Sequence, residues 1–320
     1  MSRFLRHRSS ASPAWLRERP RLSGAGVSAR RLRVRALSRA IQDSAYALNA
    51  CAQVYANLCY SGAGTGTPCG FPLRNSYNQS TQMIRAAFFD AAGTLFEPRE
   101  PVGLTYARLA RDFGLDAPED AVAAGFRRAF AAAPGLAFGP GRGHDELRGL
   151  EREWWRRRVG ETFAPIGAFP DFDVFFDALF AHFADPGHWV ADLEAAPTLQ
   201  RLKNDGIKLG VISNFDYRLY RILDGLELTR YFDSITISSE AGYAKPRLEV
   251  FQAALKRAGL SAHRAMHIGD SEHLDFAPAR AVGMAAVLID REARQSRPSI
   301  AARSARICSL ASVPEVAQVF

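Results

Sequence analysis

IRAAFFDAAGTL, residues 84–95, is the stretch that decides the fold. Its apolar run from Ile84 to Phe89 has the length of a buried strand and ends on a carboxylate, Asp90, before a Gly-Thr turn. Gly93 permits the tight turn that exposes Asp90 at a sheet edge. From Pro197 onward helices and strands alternate: TLQRLKNDG, IKLGVIS, YRLYRILDGL, SITIS, LEVFQAALKRAGL, AMHIG, APARAVG and AAVLI, the last ending at Ile289. Strands separated by single helices pair in parallel, with right-handed crossovers and helices on both faces. The expected fold class is α/β with a doubly wound parallel sheet, where ligands gather beyond the carboxyl ends of the strands. Between the first strand and this alternation, residues 101–114, 118–133, 145–159 and 171–184 carry helical apolar spacing. Breaks at 134–143 and 164–170 separate them, which predicts an inserted helical bundle, with Trp154 and Trp155 expected to pack inside it. The expected division is a core of residues 83–96 and 190–320, a helical insert of 97–189, and a separate segment of 1–82.

Charge sets that first segment apart. The chain has 320 residues, is 48% hydrophobic and carries a formal net charge of +8. Residues 1–82 contain 12 Arg, no Lys and 2 acids, a net of +10, which leaves residues 83–320 at −2. The folded part is therefore near neutral, and neither a nucleic-acid nor a membrane partner is expected of it. Arg- and Ser-rich composition with Glu18 as its one acid gives residues 1–40 the look of an organelle transit peptide. A disordered tail or a start codon placed too far upstream reads equally well for residues 1–82. Their removal is expected to leave the fold intact, which thermal unfolding of the two forms would check. Three of the four cysteines lie in this segment, so Cys308 alone belongs to the folded part and no disulfide or zinc spacing is available there. No apolar run of 18 residues occurs, and a cytoplasmic location is expected, or an organelle if the transit reading of residues 1–40 holds.

Candidate site residues sit where strands end. Asp90 closes the first strand; there it can attack phosphorus or carbon, or simply cap a turn. Ser213 ends the strand GVIS and offers a hydroxyl to a phosphoryl oxygen, with Asn214 beside it. Lys245 in GYAKP is one of four lysines, its backbone restricted by Pro246. Asp270 and Asp275 lie in GDSEHLD directly after the strand AMHIG. Two carboxylates at one strand end, near a third from another strand, are the hard oxygen donors that Mg²⁺ requires, although an acidic helix start has the same appearance. Arg142, in the loop GPGRG at 139–143, could face the site from the insert. Each signal is weak alone; their fixed order on the strand ends of one sheet is the evidence.

DAAGTL, ISN, AKP and GDSEHLD, in that order, resemble the four motifs of the haloacid-dehalogenase-like hydrolase superfamily, and the insert resembles its type one cap. The stretches REPVGLTYARLARDFGL, VISNFDYRL and ARAVGM are similar to the branch of haloacid dehalogenase-like hydrolase domain-containing 3 and rhythmically-expressed-gene-2 proteins. The resemblance runs over about residues 84–290 and implies a Rossmann-like core. It also implies Asp90 as nucleophile, Ser213 and Lys245 as phosphate-neutralising groups, and Mg²⁺ held by Asp90, the Ala92 backbone carbonyl, Asp270 and Asp275. One departure stands out. The family's phosphatases have a second Asp two residues after the nucleophile, which protonates the leaving oxygen; here that residue is Ala92. A cap without lysine argues against the family's phosphonatases, which form a Schiff base through a cap lysine. The acidic fourth motif argues against its metal-free dehalogenases. Two readings stay open: an atypical Mg²⁺ hydrolase acting on a small phosphorylated metabolite, and a binding or protein-interaction module whose catalysis has been lost.

Overall fold

The protein is described by a computed structural model at residues 83–293 and 298–320; the expectations for residues 1–82 lie outside this range. The described chain opens on β1 (Ala86–Phe89) and β2 (Phe96–Pro98). Four helices follow: α1 (Val102–Asp112), α2 (Glu119–Ala131), α3 (His144–Phe163) and α4 (Phe172–His182). The alternating part runs β3 (Trp189–Ala191), α5 (Ala195–Asn204), β4 (Lys208–Ser213), α6 (Arg218–Gly225), β5 (Ser234–Ile237) and α7 (Ser238–Ala241). It continues through α8 (Leu248–Ala258), β6 (Ala265–Gly269), α9 (Ala277–Ala281) and β7 (Ala285–Ile289). The chain closes with β8 (Ser299–Ala301), β9 (Ser304–Ile307) and α10 (Val313–Val319).

The main sheet has the order β5-β4-β1-β6-β7-β9-β8. Its pairs are parallel except for the antiparallel edge formed by β8 on β9. β1 lies at the centre, with Phe89 level with Val211 of β4 and Ile268 of β6. Because successive side chains of a strand point to opposite faces, Phe89, Val211 and Val287 pack on one side with α5, α6 and α10. Phe88, Ile212 and Leu288 pack on the other with α8 and α9. Both faces are covered, which is why these strands read as continuous apolar runs rather than alternating ones. The strand β9 and helix α10 escape the sequence pattern, because β9 is short and carries Arg306 on its exposed positions.

The insert is a bundle held by aromatic rings. Phe163 contacts Phe169 and Phe175 edge-on at 5.0 and 5.3 Å between centroids, and Tyr106 meets Phe126 at 5.1 Å. Helix α3 reaches Phe163, four residues past its expected end, because Val159 and Phe163 are both buried one turn apart. Where the chain leaves and re-enters the core, β2 and β3 form an antiparallel ribbon of three residue pairs, Phe96 opposite Ala191. Arg99 ties this ribbon to the Gly187 carbonyl at 3.0 Å. No helix among the described residues is long and apolar enough to cross a membrane.

Candidate active site

Three strand ends converge. Asp90 leaves β1 with its backbone N–H donating to the Ile268 carbonyl of β6 at 2.8 Å, so the nucleophile candidate is registered directly against the strand that leads to Asp270. The turn after it folds on itself, with the Gly93 N–H bonded to the Phe96 carbonyl at 2.8 Å. Gly93 has a φ of 91°, and a Cβ there would stand 2.8 Å from Asp270 Oδ2, so glycine is required both by conformation and by space. Arg291, just past β7, closes the turn from outside by donating to the Gly93 and Thr94 carbonyls at 2.7 and 2.8 Å and pairing with Asp192 at 2.7 Å.

Lys245 is the hub. Its ammonium donates to Asp90 Oδ1 at 2.8 Å and to Asp275 Oδ1 at 2.6 Å, and all three side chains are buried. Asn214 holds the lysine backbone at both ends: its Nδ2 donates to the Lys245 carbonyl at 2.9 Å, and its Oδ1 accepts from the Lys245 N–H at 2.7 Å. Asp275 is brought back over the end of β6 by a π-helical turn, Glu272–Phe276. Its Oδ1 also meets His267 Nε2 at 2.9 Å, and its Oδ2 accepts the Ser271 N–H at 3.1 Å. Gly269 leaves the room for this carboxylate, since a Cβ there would lie 2.2 Å from Asp275 Cγ. Gly269→Ala is therefore expected to cost about 1–3 kcal/mol through overpacking and to release Asp275 from Lys245. Denaturant unfolding of the pure variant measures this, and unchanged stability would mean the turn has slack.

The charges of the group are unequal. Burial pushes the Asp275 carboxyl up, but Lys245 and then His267 outweigh it and hold it at about 2. Burial pushes the Lys245 ammonium down, yet Asp275 and Asp90 together hold it above the ordinary lysine value. Asp90 goes the other way: its burial, reinforced by the nearby Asp275 charge, exceeds the pull of Lys245 and raises it. Asp275 and Lys245 thus form a settled ion pair, and Asp90 lacks a full positive partner of its own.

Single carboxylate oxygens of Asp90, Asp270 and Asp275 lie within 4.8 Å of one another, a spacing that could hold a cation. Asp90 Oδ1 and Asp275 Oδ1 both also face the Lys245 ammonium, and Asp275 Oδ2 accepts the Ser271 N–H.

A cavity of about 100 Å³ opens above this floor. Asp90, Ala92, Ser213, Asn214 and Lys245 form its base, and the insert supplies walls that include Tyr106, Phe126, Trp155, Val159 and Phe176. The structure therefore brings together Asp90, Ala92, Ser213, Asn214, Lys245, Asp270 and Asp275. It does not bring Arg142, which is absent from the cavity lining: its Nε donates to the Phe138 carbonyl at 2.5 Å, and it pairs with Glu146 one turn along. The loop around it instead seats against α7, with Ser238 Oγ donating to the Leu136 carbonyl at 2.5 Å. Trp155, expected only to pack the bundle, also lines the cavity. Sequence reasoning misses Arg291 and the buried pair Asp216–Arg218, although Arg291 follows a strand end, the kind of position where site residues collect.

Comparison with known proteins points to one family. The family model for haloacid dehalogenase-like hydrolases matches residues 84–283. A human protein, haloacid dehalogenase-like hydrolase domain-containing protein 3, is 37% identical over 209 residues, covering 64% of this chain and 82% of its own. Glyceraldehyde 3-phosphate phosphatase of Methanocaldococcus jannaschii is 40% identical over 93 residues, 29% of this chain and 41% of that protein. Among solved structures, the HAD hydrolase YfnB of Bacillus subtilis, determined with bound magnesium, superposes with a TM-score of 0.55 at 17% identity, covering 73% of this chain and 99% of its own.

Proposed function

This chain belongs to the haloacid dehalogenase-like hydrolase family, and on that premise we propose that it is a Mg²⁺-dependent hydrolase of phosphate monoesters with Asp90 as nucleophile. The observation that carries the reading is the ammonium of Lys245, fixed 2.8 Å from Asp90 Oδ1 at the base of a cavity that also holds Ser213. A buried cation beside a carboxylate lets a phosphoryl dianion approach that carboxylate, and the Ser213 hydroxyl supplies a hydrogen bond to a phosphoryl oxygen. Asp90 Oδ attacks phosphorus, the bond to the leaving oxygen breaks and that oxygen takes a proton from water, and a water molecule then hydrolyses the acyl phosphate to restore Asp90 and release phosphate.

The donor set suits Mg²⁺, because Asp90 and Asp270 offer hard oxygen ligands close enough to share an ion, and the ion keeps several waters of its own. The family resemblance adds the Ala92 carbonyl to that set. When bound, Mg²⁺ would supply the positive charge that Asp90 lacks, favouring its ionised form. Asp275 also anchors Lys245, and is itself held by His267 and the Ser271 N–H.

Ala92 places a methyl group at the cavity base where the family's phosphatases carry an acid. This favours a second reading, a fold that binds a phosphorylated ligand with little turnover. Release of phosphate from a panel of small phosphate esters, with Mg²⁺ and with chelator, separates the two: Mg²⁺-dependent release is expected. Calorimetry showing no Mg²⁺ binding even beside vanadate would count against both the metal and the hydrolase. Ala92→Asp should raise turnover by up to roughly 10²-fold, the lower end of what a positioned acid/base supplies, most for poor leaving groups. Steady-state rates on an alkyl and a nitrophenyl ester check it; no gain on either means that more than one group is missing.

A further inference from the structure

We propose that the leaving group this site accepts is a compact apolar alcohol, of at most about one ring, with no further charge and few hydroxyls. The inference rests on the phosphate-ester reading and concerns the wall opposite the phosphoryl end of the cavity. That wall is built from Phe126, Val159, Phe176 and Leu179, with Tyr106 and Trp155 beside them.

Its charged group and its indole N–H are already committed. Arg218 is the cation of the wall, and Asp216 takes its Nε at 2.8 Å and its Nη2 at 2.6 Å, while its guanidinium lies 3.9 Å over the Phe180 ring. Trp155 Nε1 donates to the same carboxylate, at 2.6 Å from Asp216 Oδ2. A second phosphate or carboxylate on the substrate would find this guanidinium neutralised, and sugar hydroxyls would find Asp216 saturated. Arg142, the other cation considered for substrate, lies outside the cavity. The Tyr106 phenol is left to serve a single polar substituent.

An apolar wall could be nothing more than bundle core. Protein interiors, however, hold few voids larger than a water molecule, and unfilled volume is destabilising. These side chains nonetheless line an open cleft of about 100 Å³ whose floor includes Asp90 and Lys245, rather than closing on one another. Its size also limits the occupant: about 100 Å³ falls somewhat short of the roughly 150 Å³ cavity that takes up benzene, so one ring is the upper bound.

The test uses the full-length protein with saturating Mg²⁺ and non-hydrolysable phosphonates, so that leaving-group chemistry does not intrude. Calorimetry should show phenylphosphonate and cyclohexylphosphonate binding at least about tenfold more tightly than methylphosphonate, the scale of apolar discrimination in such pockets. 3,4-Dihydroxybutylphosphonate should gain nothing over methylphosphonate. Val159→Thr, which adds a hydroxyl at nearly constant volume, should reduce the phenyl-to-methyl ratio by about fivefold, the equivalent of one buried hydroxyl without a partner. Should that variant not fold, Val102→Ile narrows the same cavity and should lower the cyclohexyl affinity most. Vanadate is the control for the phosphoryl end. If vanadate binds and the dihydroxybutyl compound equals or exceeds the phenyl one, the apolar-substrate proposal is overturned while the phosphate-ester reading stands. If neither vanadate nor any phosphonate binds, both fall.

Discussion

Asp90→Asn should reduce phosphate release by roughly 10⁴-fold or more, the scale on which loss of a covalent nucleophile acts, while leaving the fold intact. The substitution is nearly isosteric, and the backbone N–H at this position keeps its bond to the Ile268 carbonyl at 2.8 Å. Its effect on stability carries a definite sign. A carboxyl whose folded pKa is raised is disfavoured in its ionised form, so it weakens the fold at pH values above that pKa. A neutral amide at this position should leave the metal-free protein no less stable at neutral pH, although Lys245 loses one of its two carboxylate partners. A covalent trap decides the role. Borohydride added during turnover reduces an acyl phosphate at its carbonyl carbon, expelling phosphate and converting the Asp90 side chain to an alcohol that peptide mass analysis locates. That product is expected in the unmutated protein only when substrate is present. Retained turnover by the Asp90→Asn protein, together with no reduced side chain in the parent, would remove Asp90 from the chemistry.

Much of this site can be read before its geometry is known, and the reason is topological. In a parallel sheet covered on both faces, every strand is a short apolar run, and each run ends on the same edge. Asp90, Ser213 and Asp270 therefore announce themselves by following FF, VI and HIG directly, and β1, β4 and β6 bring them together across long stretches of sequence. What cannot be read is whatever depends on side-chain direction. Asp275 stands out because it is acidic and near Asp270 in sequence, and it does lie within reach of Asp90 and Asp270; that it is also bent back onto Lys245 and His267 by a π-helical turn leaves no mark in the sequence. Asn214 lines the cavity as a substrate contact would, and its bracketing of the Lys245 backbone is a second role that the sequence does not show. Arg142 looks available because its loop is rich in glycine, yet it turns to its own loop carbonyl and to Glu146. The β2–β3 ribbon is too short to leave a period in the sequence. Arg291 acts through two backbone carbonyls, and a bond to a carbonyl leaves no trace in the identity of its partner.

Lys245→Met should destabilise the metal-free protein by about 3–5 kcal/mol at neutral pH, the range for stripping one partner from a buried ion pair. Lysine and methionine have similar length, so the change removes charge and hydrogen bonds more than volume. It leaves Asp275 and Asp90 buried near each other without the ammonium that lies 2.6 and 2.8 Å from them. The pH dependence follows from the direction of the Asp275 shift. Its folded pKa, held at about 2, is below that of an unfolded aspartate, near 3.9. Its contribution is therefore complete above the unfolded value and is lost as pH falls through the folded one. In the variant the attraction that depresses this pKa is gone, burial dominates, and the carboxyl takes up a proton at higher pH than in the unmutated protein. Acidification should thus relieve the variant before it harms the parent, and the gap between their stabilities should be widest at neutral pH and narrow toward about pH 3. Urea unfolding in chelator, from neutral pH down to that point, gives both curves. A loss under about 1 kcal/mol, constant across that range, would show that the three groups do not act as one charge-coupled unit, and the case for Lys245 as the organising cation of the site would go with it.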